Sequence, residues 1–433
     1  MNAAAMPGRT GWLAPYRVID LSDERGLLAG HMLAQLGADV IQVEPPQGSR
    51  ARQAGPFATA GDSGPRSMFW AAYAAGKRGI TCDMEQDEGR ALLHQLLAGA
   101  DFLIDSADPG AMARLGLDAA TLADRHPHLV HVSITAFGSS GPKAGWEATD
   151  LTLWAAGGPL LPNRDAAGVP LRISVPQAFL HGAADGACGA LVAHFARLVS
   201  GRGQHVDISV QQSVAQATLS TILSAAVGHE GHSVGGTPAG AQPRRQLDLS
   251  GSGARTRRSK WRLANGMLEM HLAMGPAAGR YTNALFAWML EEGACDPATA
   301  AWDWVAVPKM IESGALGDAD MEAARGKVEA FLATRTKAEM MEHAVGRKLL
   351  MAPIAHMADL AASPQYGARG FLQQVGAPPL TLPGDFACGA GVTSGFVPLT
   401  PAPAIGQHNA AVYRELCDID AEALATLSRS GVL

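Results

Sequence analysis

Apolar positions along this chain alternate between two spacings. Tyr16 to Leu21 (YRVIDL) has the length and the Val-Ile centre of a buried strand. GLLAGHMLAQLGA then repeats its apolar residues at helical spacing as far as Gly37, and DVIQVEPP is a second run closed by prolines. Strand, helix and strand in that order predict a β-α-β unit, and hence a parallel sheet with a right-handed crossover. The pattern recurs. GKRGITCDM and DFLIDS read as strands around an amphipathic helix, DEGRALLHQLLAGA. PGAMARLGLDAATLADRHPHL reads as two short helical pieces, with Pro109 opening the first. VHVSITAF is then a strand that runs into a Gly/Ser/Pro loop, and this loop delivers Asp150 to the start of an apolar segment.

Farther on, periodicity lapses from Gly228 to Arg258, which reads as a lid or linker. KWRLANGMLEMHLA predicts a hairpin turning at Asn265-Gly266. It opens a smaller α+β region with helices in ADMEAARGKVEAFLATR and KAEMMEHAV, and the tail ends in a helix capped by Asp420. The fold class expected is α/β: a large Rossmann-like domain with a parallel sheet, plus a smaller α+β domain. The large domain takes residues 1–225, the small domain with its linker takes 226–345, and 346–433 returns to the large one.

Composition narrows the function classes. A net charge of −6 and a pI near 6.2 provide no basic field for nucleic acid. The cysteines (Cys82, Cys188, Cys295, Cys388 and Cys417) are far apart, with no C-x-x-C pair. They argue against a zinc ribbon or a disulfide framework, so no metal is expected and a reducing cytoplasm is. The N-terminal stretch lacks the pattern of a signal peptide, and Gly, Asp or His breaks every apolar stretch short of about 18 clean residues, which excludes a membrane span.

Asp20 and Glu44 end their strands, where a nicotinamide enzyme would hold its cofactor. The G-x-G-x-x-G that such an enzyme needs after the first strand is missing from SDERGLLAG. Gly76-Lys77-Arg78 places two cations behind a glycine, a pattern that suits phosphate and equally a solvated turn. Asp150 follows a glycine-rich loop at a helix start, where α/β proteins place ligands, though ordinary connections look the same.

Taken in order, RVIDLSDERGLLAGHMLAQLGADVIQVEPP, GKRGITCDM, ADFLIDSADPGAMARLGLD, LVHVSITAFGSSGP, GRGQHVDIS and SPQYGARGF resemble the family III CoA-transferases, relatives of the α-methylacyl-CoA racemases. The resemblance covers nearly the whole chain. It implies two chains threaded through one another as linked rings, with acyl-CoA and a carboxylic acid as substrates. Lys77, Arg78 and Arg114 match the family's CoA-contacting motifs. Two positions depart: Ser106-Ala107 stand where the family has Asn-Phe, and Pro45 follows Glu44 where a basic residue often stands. An Asp of the family attacks the thioester, giving a mixed anhydride and a CoA thiolate. The oxyanion so formed calls for backbone N–H donors, and Gly251, Ser252 and Gly253 are candidates for such a lid.

The third departure concerns that nucleophile. Counting back from Gln204 without gaps, with Gly189 matched to a helix glycine, lands on Phe179. Three explanations compete. Another carboxylate serves: Asp150, or Asp185, which lies six residues along the helix and is turned by about 240°. Alternatively, the chain is the subunit of a heteromer whose partner holds the Asp, as in the two-subunit arylalkylsuccinate (benzylsuccinate-type) branch. Or the helix is shifted by a turn. Two alternatives to transfer stand beside these, the first resting on Asp150. One is an acyl-CoA racemase or isomerase using it for proton transfer, with His181 nearby, although Thr149 stands where that branch has His. The other is a CoA-binding subunit with no turnover of its own.

Overall fold

The computed structural model describes residues 11–59, 65–160, 169–172, 175–219, 223, 226, 259–384, 386 and 397–433. They divide into two units: Met1–Gly236 with Gly367–Leu433, and Thr237–Tyr366.

In the first unit the apolar runs become the parallel strands β1 (Arg17–Asp20), β2 (Asp39–Glu44), β3 (Arg78–Thr81), β4 (Phe102–Asp105), β5 (Val130–Thr135) and β6 (His205–Ser209). Their order across the sheet is β3-β2-β1-β4-β5-β6. This is the doubly wound order, and its reversal falls between β1 and β4. Helices α1 (Leu27–Gln35) and α2 (Asp87–Ala98) follow the expected periodicity. The next, α3 (Ala111–Arg114), begins two residues later than Pro109 predicts, because Gly110 turns the chain with a φ of +79°. α4 (Ala119–Arg125) is capped by Asp118. α5 (Asp150–Gly157) and the 23-residue α6 (Ala178–Ser200) complete this half.

α6 lies close to the sheet because its inward face is glycine. A Cβ on Gly182 would stand 2.6 Å from Val210, one on Gly186 3.0 Å from Ile134, and one on Gly189 2.8 Å from Val206. Its outward face carries Val192, Phe195, Leu198 and Val199, between 63% and 87% exposed. Such a stripe is the mark of an interaction surface.

In the second unit β7 (Lys260–Leu263), β8 (Gly266–Met270) and β9 (Met351–Ile354) form an antiparallel sheet in the order β9-β8-β7. It packs with α7 (Gly279–Glu291) and α8 (Asp318–Ala333) around Trp261, Trp288 and Trp304. The hairpin turns one residue earlier than expected. Leu263 pairs with Gly266, so Ala264-Asn265 is the loop, and Asn265 is held by the Lys337 amide. β9 lies beyond the expected boundary at 345, and its pairing with β8 keeps it in this unit. The chain then returns to the first unit, where α9 (Asn409–Cys417) lies against the outer strand β3. Among the described residues, no helix is long and apolar enough to cross a membrane.

Candidate active site

The crevice at the sheet's reversal point is bounded by the chain leaving β1 and the chain leaving β4. Ser106, after β4, donates its hydroxyl to Asp23 Oδ1 at 2.9 Å and accepts the Asp23 amide at 3.0 Å. Asp23 also binds Arg25 at 2.7 Å and Arg50 at 2.6 Å, and Arg25 reaches Asp108 at 2.6 Å. Burial works against the Asp23 carboxylate, but the two arginines outweigh it and hold its pKa below the usual range. Arg25 and Arg50 are the basic groups of this crevice. Neither belongs to a phosphate-binding motif, and only the strand order points to them.

Lys77 is completely buried. Its ammonium donates to Asp20 Oδ2 (2.7 Å), Gln42 Oε1 (2.9 Å) and the Leu27 carbonyl (3.0 Å). Those are all the protons an ammonium has. Arg78 opens β3 and joins Asp39 of β2 to Glu415 of α9 (2.8 Å to the latter), so it ties three elements together. Arg114 is different: its side chain is 66% exposed and its one partner among the described residues, Glu85, is 3.4 Å away. Of the three cations in the CoA-contacting motifs, Arg114 retains the most freedom to meet a phosphate.

The loop after β5 is held by Asp207, which accepts the Ser139 amide and hydroxyl, while Gly138 turns with a φ of +87°. It ends in a capping box between Thr149 and Thr152 that starts α5. Thr149 is therefore spent as a cap. Asp150 Oδ1 accepts the amides of Gln177 (2.7 Å) and Ala178 (2.8 Å) at the N-terminus of α6. A helix N-terminus favours such a negative charge. Oδ2 is buried and has no hydrogen-bond partner among the described residues.

The structure thus brings Asp150 to the first turn of α6, where Phe179 stands. Phe179 is half-buried against the core that contains Ile134 and Trp154. His181 is exposed, its ring 5.5 Å from that of Trp154, and Trp154 Nε1 is a second buried polar atom without a partner among the described residues. Asp185 is directed elsewhere and accepts from Gln216 at 3.2 Å. Gly251, Ser252 and Gly253 lie outside the described residues, as does the loose segment around them. Among the described residues no cluster of His, Cys, Asp and Glu is arranged to hold a metal.

A profile described as CoA-transferase family III matches residues 13–409. The chain is 29% identical over 368 residues to subunit BbsE of the succinyl-CoA:(R)-benzylsuccinate CoA-transferase of Thauera aromatica, covering 83% of this chain and 82% of that protein. It is 35% identical over 211 residues to the succinate–glutarate CoA-transferase of Agrobacterium fabrum, a match spanning 47% of this chain and 52% of that protein. A CaiB/BaiF family protein from Brucella suis superposes with a TM-score of 0.74 at 22% identity, over 94% of this chain and all of that one. That likeness concerns the fold.

Proposed function

The chain belongs to CoA-transferase family III, and from that premise we propose that it serves CoA transfer between an acyl-CoA donor of the succinyl-CoA kind and a carboxylic acid, as one subunit of a heteromer whose homologous partner supplies the nucleophilic Asp. The observation that carries this reading is the first turn of α6. A phenyl side chain stands where the nucleophile is expected, and the carboxylate beside it, Asp150, has one oxygen bound to two amides and the other buried. A nucleophile must present a lone pair to the thioester carbon, and neither residue does so. The exposed apolar face of α6 supports assembly with a second chain, as does the extent of the match to a protein named as a subunit.

In the transfer, the partner's carboxylate adds to the thioester carbonyl, the C–S bond breaks, and CoA leaves as its thiolate. The acid substrate then takes the acyl group from the anhydride, freeing the partner's carboxylate, and the thiolate adds to the acid substrate's own carbonyl, from which the donor's carboxylate leaves. This chain's part is to complete the fold and line the pocket. Arg114, Arg25 and Arg50 are the cations placed to meet the phosphates of CoA.

One observation favours a second reading. The unpartnered Oδ2 of Asp150 becomes a working carboxylate if the cap opens when substrate binds. A single experiment addresses both. The purified chain is given succinyl-CoA and a panel of acids including benzylsuccinate, and acyl-CoA species are followed by mass. We expect silence from the chain alone and transfer once a homologous subunit bearing the Asp is added. Turnover by the chain alone sinks the subunit reading, and its loss in Asp150→Asn would then locate the chemistry.

A further inference from the structure

The loop that joins β5 to α5, residues 136–149, is pinned at both ends. Asp207 accepts from the Ser139 amide and hydroxyl at one end, and the capping box between Thr149 and Thr152 closes the other. Between them Gly141 turns with a φ of +90°. The Ala144 amide donates to the Gly141 carbonyl (3.2 Å), and the Trp146 amide donates to the Lys143 carbonyl (2.9 Å). Lys143 and Trp146 are therefore presented from a fixed backbone. Binding residues are commonly carried this way, on loops that a rigid scaffold positions.

The Lys143 ammonium lies over two rings, 5.4 Å from the centre of Phe137 and 5.5 Å from that of Trp146. The rings themselves meet edge to face, 6.3 Å apart. Both distances from the cation fall within the range at which a ring face attracts it. A ring takes the place of water on an ammonium without taking up its protons, so the three N–H donors stay available. Lys77 spends its three on Asp20, Gln42 and Leu27. Lys143 has no ion-pair or hydrogen-bond partner for its side chain among the described residues, and Glu147, the one acid of this loop, makes no pair with it.

Trp146 is 56% exposed, whereas Phe137 is half-buried. Phe137, Ala148 and Phe179 all pack against the core that holds Ile134 and Trp154, so the cluster belongs to the surroundings of the first turn of α6. A cation with unspent protons calls for an anion, and an exposed indole face calls for apolar cover. A carboxylate with an apolar group beside it supplies both. Resting on the transfer reading above, we propose that Lys143 and Trp146 select the acid substrate. Lys143 donates to a carboxylate oxygen of the acid, and the Trp146 ring covers the aryl or alkyl group next to that carboxylate. The acids so favoured are those with a bulky apolar substituent.

The test reads binding, which needs no turnover. Benzylsuccinate, its uncharged diamide and succinate are titrated into the full chain, alone and with a homologous subunit, by calorimetry and by the ¹⁵N-indole resonance of Trp146. Benzylsuccinate is expected to move that resonance. It should bind at least about tenfold more tightly than the diamide, which lacks the charge, and than succinate, which lacks the ring. Lys143→Met should weaken benzylsuccinate by at least about tenfold, while Lys143→Arg, which keeps a cation that stacks on rings, should stay within about threefold. Trp146→Ala should bring benzylsuccinate down to the level of succinate. An unmoved Trp146 resonance, equal binding of the three compounds, or a Lys143→Met chain that binds as the parent does would each overturn the proposal. So would a resonance that answers to CoA or to the added subunit and to no acid. Intact, Lys143-dependent binding with no transfer in any pairing would count against the transfer reading and leave this site standing.

Discussion

Two aspartates of the large unit show what a carboxylate does when its lone pairs are spent, and what it does when they are not. Asp20 ends β1 and is completely buried. One oxygen takes the Ser22 amide (2.9 Å) and hydroxyl (2.5 Å), and the other takes Lys77 (2.7 Å). Asp150 gives one oxygen to two helix amides and leaves the other bare. The first is a closed account of charge, and its neighbours show how tightly it is closed: a Cβ on Gly30 would stand 2.0 Å from Asp20 Oδ2. The second is held from one side only. Removing a partner should therefore be ruinous at Asp20 and mild at Asp150.

The largest effect is expected at Lys77. Lys77→Met strands the buried charge of Asp20, and losing one partner of a buried pair costs about 3–5 kcal/mol. Urea denaturation should register that loss, and Asp20→Asn combined with Lys77→Met should recover part of it. A single variant that unfolds within about 1 kcal/mol of the parent would mean that the pair is not the fixture its geometry suggests.

How much of this contrast was legible beforehand depends on distance along the chain. The strands announced themselves, because a strand buried on both faces carries a continuous apolar run, as Phe102-Leu103-Ile104 of β4 does. Phe179 was found by counting back along α6 from the turn that follows it. Lys77 was not legible. A lysine behind a glycine reads as a surface cation, and its acceptors at 20, 27 and 42 meet it only once β1, α1 and β2 have folded together. The grip of Asp150 on α6 likewise spans 27 residues, and no local pattern encodes it. Arg25 and Arg50 became candidates only when the strand order placed the crevice beside them.

A smaller effect belongs to the surroundings of Lys77. His31, on α1, is buried and bonded through Nδ1 to the Ala75 carbonyl (3.0 Å), and burial foremost, with Lys77 nearby, lowers its pKa to about 4. Between pH 6.5 and 4 the unfolded chain binds a proton that the folded chain refuses, so stability rises with pH across this window and is lost as pH falls through it. The contribution is on the order of 3 kcal/mol at its full extent. Denaturation midpoints at pH 7 and pH 4.5 should fall apart in the parent and draw together in His31→Gln. An equal pH slope in both would assign the acid lability to other groups.

The smallest effect is expected at Asp150, and there two substitutions separate structure from chemistry. Asp150→Ala removes the acceptor of two amides at the start of α6, a capping loss of about 0.5–2 kcal/mol. Asp150→Asn keeps an oxygen for those amides and gives up only the charge, so it should cost less, in the range of about 0.3–1 kcal/mol for a charge at a helix end. If the partner's Asp does the chemistry, the heteromer carrying Asp150→Asn should keep kcat within about threefold of the parent, under roughly 0.7 kcal/mol in the barrier. A collapse of kcat by about a thousandfold with stability unchanged, roughly 4 kcal/mol, would reverse the assignment. The bare oxygen of Asp150 would then be the working one, and the cap would be the latch that holds it until substrate arrives.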